Sequence, residues 1–247
     1  MTESSQPENR ATWRAVDYDT LRFVGSEHPC PYLPNRMSRN EAYLAERLDG
    51  NLYEHLLGLG FRRSGRTVYR PRCRGCRECK QIRVLVNRFQ PSRSMRRVQS
   101  RNRDVVVEIA ESRPSAEKHD IFRRYLDAQH DGTMSGSYEA FKDFLYDSPM
   151  TGRDFLYRLG DRIVAVGVTD LCPQGISSVY TYFDPDFADR SLGTYSVLYE
   201  IAWCRRNELP YYYLGYYVAG SGSMEYKSRF RPNEILVDEQ RWIALPE

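Results

Sequence analysis

Residues 191–217, SLGTYSVLYEIAWCRRNELPYYYLGYY, decide the fold class of this chain. The pattern over 191–209 predicts a helix, and Ser191 stands where an N-cap residue is expected. The apolar run over 210–217 follows directly and predicts a buried strand. This helix and strand are the end of a longer pattern that begins at residue 155.

The stretch before this pair predicts antiparallel strands. FLYRLGDRIVAVGVTDL (155–171) predicts two strands joined at Gly160-Asp161, and residues 176–184 predict another. A short strand is expected at 234–238. Antiparallel strands, then a helix, then a strand is the order of the acetyltransferase-like (GNAT) fold. The predicted fold class is therefore α+β, with a GNAT-like domain at residues 104–247 that contains a mixed, mostly antiparallel sheet.

A cysteine-rich N-terminal lobe is predicted at residues 20–103, after a disordered segment at residues 1–19. Pro91 and Ser92 are helix start signals, and the basic stretch 91–103 predicts a helix at the boundary between the lobes. The other predicted elements are a strand at 20–25, a proline-rich loop at 28–35, a helix at 51–59, a hairpin at 61–70 that turns at Ser64-Gly65, strands at 82–89 and 105–110, and helices at 116–130 and 137–146.

Composition and length exclude several classes of protein. The 247 residues are 41% hydrophobic and 28% charged, as is usual for globular domains. No run of 18 apolar residues exists, so no membrane-spanning segment is expected. The N-terminus is polar and carries no recognisable secretory signal. These observations predict a cytoplasmic protein in which six cysteines serve as metal ligands or buried thiols rather than as disulfides.

Charge is strongly segregated along the chain. Residues 61–103 contain fourteen Arg and one Lys against one acid, Glu78, which gives this stretch a charge of +14. Because the whole chain carries only +3, the remainder carries −11. Such segregation indicates a polyanionic partner, and nucleic acid is the favoured one.

The same basic stretch contains a cysteine cluster. Cys73, Cys76 and Cys79 have C-x2-C-x2-C spacing, which lets one tight loop direct three thiolates at one metal ion. Cys30, in the proline-rich loop, is the best candidate for a fourth ligand. The neighbouring arginines would stabilise the thiolates. Zinc is the simpler metal, but an iron–sulfur cluster also uses four cysteines. The other two cysteines, Cys172 and Cys204, are expected in the core.

Several stretches together resemble a known family. They are HPCPYLPNR (28–36), LGFRRSGRTVYRPRCRGCREC (59–79), PSRSMRR (91–97), VAVGVTDL (164–171), SSVYTYFDPDFADRSLGTYSVLYEI (177–201), YYYLGYYV (211–218) and MEYKSRFRP (224–232). They resemble the aminoacyl-tRNA–protein transferases, most of all the bacterial aspartate/glutamate leucyltransferases, to which the eukaryotic arginyltransferases are related. The resemblance covers roughly residues 20–243.

This resemblance implies an aminoacyltransferase reaction. Leucine from leucyl-tRNA would be joined to the α-amine of proteins that begin with Asp or Glu, which marks them for degradation by the N-degron (N-end rule) pathway. The donor is an activated ester, and the acceptor amine, with a pKa of about 7.7–8.0, is partly neutral near pH 7. The enzyme therefore needs mainly to position the two ends and to stabilise an oxyanion. Charged tRNA and protein substrates are the expected partners, and no CoA is expected.

Three groups of site residues follow from the motifs and from this chemistry. The predicted catalytic residues, placed around a helix N-terminus, are Tyr180, Asp184, Ser191 and Tyr195. Those predicted to bind the acidic acceptor or to line its pocket are Lys227, Arg229, Tyr216 and Tyr226, with Tyr217 and Arg231 beside them. Those predicted to bind tRNA are Arg93, Arg96, Arg97 and Arg101, extended by Arg62, Arg63 and Arg70.

Three alternatives stay open at this point. Arginine could replace leucine as the donor. An acetyl-CoA-dependent N-acetyltransferase would carry [RQ]-x-x-G-x-[GA]; RSLGTY (190–195) matches at Arg190 and Gly193, but Tyr195 stands where a small residue is needed. A metal-containing, non-enzymatic RNA-binding protein would explain residues 61–103 but leaves the second lobe without a role.

Overall fold

The computed structural model describes residues 22–129 and 134–246; the disordered segment predicted at 1–19 lies outside these residues. The first elements are strands β1 (Arg22–Val24), β2 (His28–Pro29), β3 (Met37–Ser38), β4 (Asn40–Leu44), β5 (Arg62–Ser64), β6 (Thr67–Pro71) and β7 (Lys80–Leu85), with helices α1 (Gly50–Gly58) and α2 (Arg93–Arg101). They are followed by strands β8 (Val106–Glu111), β9 (Gly152–Leu159), β10 (Arg162–Cys172), β11 (Gly175–Phe183), β12 (Tyr211–Tyr217), β13 (Asn233–Asp238) and β14 (Arg241–Ala244), with helices α3 (Ala116–Gln129), α4 (Tyr138–Phe141) and α5 (Leu192–Arg206).

The strands form two main sheets. An eight-stranded sheet has the order β14-β13-β7-β12-β11-β10-β9-β8, and a four-stranded sheet has the order β1-β4-β6-β5. Strands β2 and β3 form a small separate pair. Of the strand pairs in the described residues, β11–β12 alone is parallel. The prediction of an α+β protein with a mixed, mostly antiparallel sheet is therefore confirmed.

The large sheet continues across the predicted lobe boundary at 103/104. Strand β7 lies between β13 and β12 and pairs antiparallel with both. The chain passes from the cysteine loop directly into the middle of this sheet, because Cys79 immediately precedes Lys80. The N-terminal stretch thus contributes a central strand to the sheet formed by the C-terminal strands.

The two faces of the large sheet carry different layers. On one face, Phe155 and Tyr157 of β9 pack with α5, α2 and β7 in one core cluster. Leu156, which points the other way, packs with α3 and α4 in a second cluster. Helix α1 packs against Tyr213, and Tyr212 faces α5, so α1 also lies on the side opposite α5.

The local predictions differ from the structure in several places. The hairpin turns at Gly65-Arg66 rather than Ser64-Gly65, and the strand expected over 82–89 ends at Leu85, where a 3-10 turn begins. The helix expected over 137–146 becomes a π-helix at Lys142–Tyr146. Strands β3, β4 and β14 were not predicted, and β14 completes the edge of the large sheet.

Ser191 occupies the N-cap position of α5 but does not cap the helix through its side chain. Its backbone is left-handed, with φ 56° and ψ 46°, and its hydroxyl makes no cap hydrogen bond. By contrast, Ser92 at the start of α2 is extended and its hydroxyl accepts a hydrogen bond from the Met95 N–H at 3.3 Å. Sequence position alone could not separate these two serines, because capping depends on the backbone conformation.

Candidate functional site

A gap opens in the large sheet where β11 leaves β12. Their parallel pairing covers residues 175–177 and 211–213; beyond it, β11 stays with β10 while β12 stays with β7. A register shift between Tyr213 and Gly215 bends β12 at this point. Splayed strands in a parallel pair are a common place for a ligand, because backbone groups are left without ladder partners.

Arg62 of β5 fills the gap from the side of the four-stranded sheet. Its guanidinium donates to the Ser177 hydroxyl at 3.1 Å and to the Ser178 carbonyl. It lies against the backbone of Gly215, where a Cβ atom would come within 3.1 Å of the guanidinium carbon. Gly215 also has a φ of +89°, so both its conformation and the approach of Arg62 require glycine.

Lys227 enters the gap from the 3-10 helix Glu225–Arg229. Its ammonium donates to the Tyr216 carbonyl at 2.8 Å, and burial together with the Arg62 charge lowers the pKa of Lys227 to about 7. Arg62 and Lys227 are 7% and 8% exposed. Within the described residues, no Asp or Glu oxygen lies within 4.0 Å of either cation. Two neighbouring buried cations without an acidic partner indicate a site for an anion.

Glu200 of α5 lies against the large sheet, next to Tyr212 of β12 and Tyr157 of β9. It is fully buried, its Oε2 accepts from the Tyr212 hydroxyl at 2.6 Å, and its Oε1 accepts from the Tyr157 hydroxyl at 3.1 Å. Burial raises the pKa of Glu200 to about 7. Its Oε1 also lies so close to the Gly167 backbone that a Cβ atom there would approach to 2.3 Å. A carboxyl group with a pKa near 7 can hold or accept a proton at neutral pH.

The four predicted catalytic residues do not meet at one point. Tyr180 packs with Phe122 and Phe144 on the α3 face, and Tyr195 packs with Tyr157 on the α5 face. Burial raises the pKa of both tyrosines. Ser191 lies at the start of α5, and its carbonyl accepts from the N–H groups of residues 194 and 195.

Asp184 is completely buried and both its oxygens are engaged. Arg124 donates to it at 2.9–3.0 Å, Arg162 also donates to it, and the Asp186 N–H donates at 3.1 Å. This arrangement holds α3 to the end of β11 and caps the 3-10 helix Pro185–Arg190. Because both oxygens already accept hydrogen bonds from guanidinium groups and a backbone N–H, the placement of Asp184 favours an anchoring role over base catalysis.

The predicted acceptor residues divide in the same way. Lys227 lies in the gap, and Tyr226 lies beside it: burial raises the pKa of its hydroxyl to about 12 with Tyr125 and Glu200 nearby, although 40% of the residue is exposed. Tyr216 is buried and donates to the Gly60 carbonyl at 2.8 Å, which is a packing role. Arg229 is exposed, and Arg231 donates to the carbonyls of residues 245 and 246.

Four of the predicted tRNA-binding arginines lie together on α2. Met95 and the α5 side of the helix are buried, and Arg93, Arg96, Arg97 and Arg101 are all exposed. Arg96 donates to the Pro91 carbonyl and Arg101 to the Asp189 carbonyl, so each guanidinium group is already partly oriented. Helix α2 thus presents a basic surface on the α5 side of the large sheet.

The other three predicted tRNA-binding arginines do not extend this surface. Arg63 is buried and forms a two-bond pair with Asp170, at 2.6 and 2.7 Å. Arg70 donates to Glu41 and stacks on Phe61, and Arg62 lies in the gap described above. Their partners are far away in the sequence, so the run of basic residues could not reveal that they are buried.

The four cysteines of the predicted metal site are neighbours without forming a cage. Burial raises the pKa of Cys79 to about 12, and Cys73, Cys30 and Cys76 add to that rise. Cys73 Sγ lies 3.9 Å from the Ser38 hydroxyl. Across residues 22–129 and 134–246, no group of three or more His, Cys, Asp or Glu side chains is arranged to hold a metal ion. Soft thiol donors suit zinc, but the metal remains a prediction. Cys172 and Cys204 are buried, as expected.

Two family models match this chain. Residues 28–97 match the model described as arginine-tRNA-protein transferase, N terminus, and residues 117–237 match the corresponding C terminus. A protein of Pseudomonas savastanoi pv. phaseolicola named aspartate/glutamate leucyltransferase is 40% identical over 230 residues, covering 91% of this chain and 97% of that protein. One of Stenotrophomonas maltophilia with the same name is 42% identical over 235 residues, covering 91% and 93%.

The chain belongs to the arginine-tRNA-protein transferase family. This confirms the predicted family and enzyme class, and it removes support from the acetyl-CoA-dependent and non-enzymatic alternatives.

Among solved structures, L-PGS from Bacillus licheniformis is similar with a TM-score of 0.49 and 13% identity, over 67% of this chain and 58% of that one. FemX gives a TM-score of 0.43 at 8% identity, over 79% and 80%. These scores are too low to confirm the GNAT-like part of the fold prediction.

The structure places Arg62 in the gap and apart from the arginines of α2, and Glu200 was not among the predicted site residues. Glu200 lies four residues after Ser196 and four before Cys204, both buried, so it occupies the inward face of α5. An acid on that face was a detectable signal of an unusual buried charge. For Arg62 there was no comparable signal, because its partner Ser177 is 115 residues away.

No helix within the described residues is long and apolar enough to cross a membrane.

Proposed function

We propose that this protein transfers leucine from leucyl-tRNA to the α-amine of proteins that begin with Asp or Glu. The observation that carries the proposal is the pair of buried cations, Arg62 and Lys227, which have no acidic partner in the described residues. The side chain of an N-terminal Asp or Glu supplies the missing carboxylate. The names of the relatives support the same donor and acceptors.

The two substrates reach the gap from opposite faces of the large sheet. The basic helix α2 packs beside α5, so tRNA would approach on the α5 face and bring its aminoacyl end to Glu200. Arg62 comes from the four-stranded sheet on the other face, where the acceptor polypeptide would enter. The sheet itself then separates the two bodies, and only their reacting ends meet. Along the chain, α5 follows β11 and precedes β12, and these two strands splay apart. This GNAT-like order of elements supports the arrangement.

The reaction moves one proton from the amine to the leaving oxygen, in two transfers. The acceptor amine attacks the carbonyl carbon of the aminoacyl ester, the new C–N bond forms, and the C–O bond to the ribose of tRNA breaks. Glu200 takes the proton from the amine and returns it to the ribose oxygen that leaves. A base with a pKa near 7 is well matched to both transfers at neutral pH. No covalent enzyme intermediate is involved.

The first test is a transfer assay on the full chain. It combines the protein with tRNA charged with leucine or, separately, arginine, and with peptides that begin with Asp, Glu, Lys or Ala; mass spectrometry reads the N-terminus. Leucine on the Asp and Glu peptides alone is the expected result. Arginine on the same peptides would keep the reaction and change the donor, whereas transfer to Lys or Ala peptides would contradict the proposed role of the cation pair.

Arg62→Gln and Lys227→Met test the acceptor site directly. Each is expected to reduce kcat/KM for Asp and Glu peptides by at least about 10-fold, because a buried charge-assisted bond is lost. The matched control is Arg229→Gln, which changes an exposed arginine of the same 3-10 helix. Equal losses in all three variants, or no loss in the first two, would place the acceptor carboxylate elsewhere.

We further propose that Cys30, Cys73, Cys76 and Cys79 bind zinc and that the protein acts in the cytoplasm as part of the N-degron pathway. Bound metal would draw the four neighbouring thiols into a closed tetrahedron and fix the loop that leads into β7. Cys76→Ser should then lose metal and stability together, since binding energy at a structural site is folding energy. Metal analysis and urea unfolding check this, and Cys172→Ser is the control. Full stability without metal would defeat the zinc assignment.

A further inference from the structure

One pocket in the N-terminal part has no role in the reaction described above. It has a volume of about 500 Å³, within the range of ligand pockets. Its floor is a face of the four-stranded sheet, including Phe23, Ala42 and Tyr69. Tyr32 and Cys79 line it from the loops above, and Tyr216 of β12 closes the end nearest to the large sheet.

The floor of this pocket leads to the buried cation pair. In the sheet register, Phe23 lies opposite Ala42, Ala42 opposite Tyr69, and Tyr69 opposite Arg62. Directly opposed residues of neighbouring strands project to the same face. The four side chains therefore form one row, which runs from the exposed Phe23 to the buried Arg62 in the gap.

The length of the row suits an extended peptide. It crosses three strand spacings, about 14 Å in all. An extended chain covers that distance in about four residues. If the first residue of an acceptor places its carboxylate at Arg62, the next few residues lie along the floor toward Phe23.

The lining also favours a polypeptide over a nucleic acid. Within the part of the chain that the structure describes, no Asp, Glu, Lys or Arg side chain lines the pocket. Its polar groups are hydroxyls, an imidazole, an amide and a thiol, as at Ser26, His28 and Asn40. A phosphate backbone needs cations, and those of α2 lie on the opposite face of the large sheet. Hydroxyl and aromatic groups instead suit an uncharged peptide backbone.

We propose that this pocket binds residues two to four of the acceptor polypeptide, so that selection extends beyond the first residue. The inference rests on the proposed function, because it needs the acceptor carboxylate at Arg62. It assigns the four-stranded sheet a substrate: a short extended segment that is uncharged where it crosses the floor. Acceptors with charged residues at these positions would bind less well.

Ser26 offers a clean test, because it is exposed and lines the pocket. The variants Ser26→Glu and Ser26→Lys are assayed with peptides that begin with Asp and carry Ala, Lys or Glu at positions two, three or four. Ser26→Glu is expected to prefer a Lys peptide over the matching Glu peptide about 5-fold or more, and Ser26→Lys the reverse. The preference should appear in KM, with kcat unchanged, since the pocket lies away from the reacting atoms. Ser135→Glu and Ser135→Lys, at an exposed serine outside the pocket, should show no preference.

The outcomes separate this inference from the proposed function. Equal KM values for Lys and Glu peptides in both Ser26 variants, with normal transfer by the unmodified protein, would overturn the inference alone. A change in the KM for charged tRNA instead of peptide would assign the pocket to the tRNA end and also overturn it. Absence of transfer by the unmodified protein with every donor would overturn both. In the unmodified protein, KM should fall as the peptide grows from one to four residues and then level off.

Discussion

Arginines of one basic stretch have opposite roles in two regions of this molecule. Those of α2 are exposed, and their positive charge faces solvent. Those of the hairpin β5–β6 are drawn inside, where Arg63 meets Asp170 and Arg70 meets Glu41. For Arg63 and Arg70 the difference comes from acids distant in the sequence and not from the arginines themselves. The charge counted over one stretch of sequence therefore measures attraction for a polyanion only after the arginines paired with distant acids have been subtracted.

The largest expected effect is on stability, at the buried pair. Arg63→Leu leaves the fully buried Asp170 without a partner and should cost roughly 3–5 kcal/mol. Urea unfolding measures it. The double variant Arg63→Leu/Asp170→Leu should recover most of the loss, because neither charge remains. A loss that persists in the double variant would mean that packing, and not the uncompensated charge, is responsible.

The next effect is on transfer, at Glu200. Glu200→Gln should lower kcat about 100-fold at pH 8, which is the usual contribution of a general base. The ratio between the two proteins should shrink as the pH falls through about 7, since Glu200 itself becomes protonated there. A ratio independent of pH would show that Glu200 only positions Tyr212 and Tyr157.

Stability provides the independent readout for Glu200. Its pKa in the folded protein is raised from 4.5 to about 7, so the folded state binds an extra proton between these values. The stability that this proton confers is complete below pH 4.5 and is lost as the pH rises through 7. Relative to Glu200→Gln, the unmodified protein should lose up to about 3 kcal/mol over this range. If the free energies of unfolding of the two proteins changed with pH in the same way, Glu200 would not be a buried carboxyl group with a raised pKa.

A smaller effect is expected on tRNA binding, at the exposed helix. Arg96→Ala/Arg97→Ala should weaken binding of charged tRNA about 10-fold and reduce the slope of log K against log salt by roughly one to two. The free energy of unfolding should change by less than about 0.5 kcal/mol per residue, because both side chains are exposed. Arg123→Ala, on the exposed side of α3, is the matched control. An unchanged slope would move the tRNA surface elsewhere.

The smallest effects distinguish the serines at the N-termini of helices α2 and α5, Ser92 and Ser191. Ser92→Ala removes the hydrogen bond to the Met95 N–H and should cost about 1 kcal/mol. Ser191→Ala removes no cap and should stay within about 0.5 kcal/mol. Thermal unfolding of both variants under the same conditions provides the comparison. A larger loss at Ser191 would reveal a role for its hydroxyl that the helix start does not explain.

Local patterns predicted most of the elements because those signals are carried by neighbouring residues. The hairpin at 155–171, helix α5 and the basic helix α2 were all found from periodicity and turn residues. Strand β14 was missed, since four residues at the end of a chain give little periodicity. The role of β7 in the large sheet could not be predicted, because pairing between distant strands leaves no local pattern.

The candidate site was only partly predictable for the same reason. The motifs named Lys227 and the arginines of α2, whose roles stay predictions, and the resemblance identified the family. Arg62 and Glu200 acquire their properties from Ser177, Gly215 and Tyr212, which the fold brings near them. A burial shift of pKa is a property of the assembled structure, so the sequence could suggest the residue types but not their roles.

Strand β7 also limits how the chain can be divided. A break between residues 103 and 104 would remove β7 from the later strands and leave β12 and β13 with unpaired edges. The first fragment would in turn carry an apolar strand, with Ile82 and Val84 fully buried in the intact protein, and nothing to pair with it. Neither fragment would be a module that could be exchanged or expressed alone. In this protein the cysteine-rich part and the transferase part share one sheet and form one folding unit.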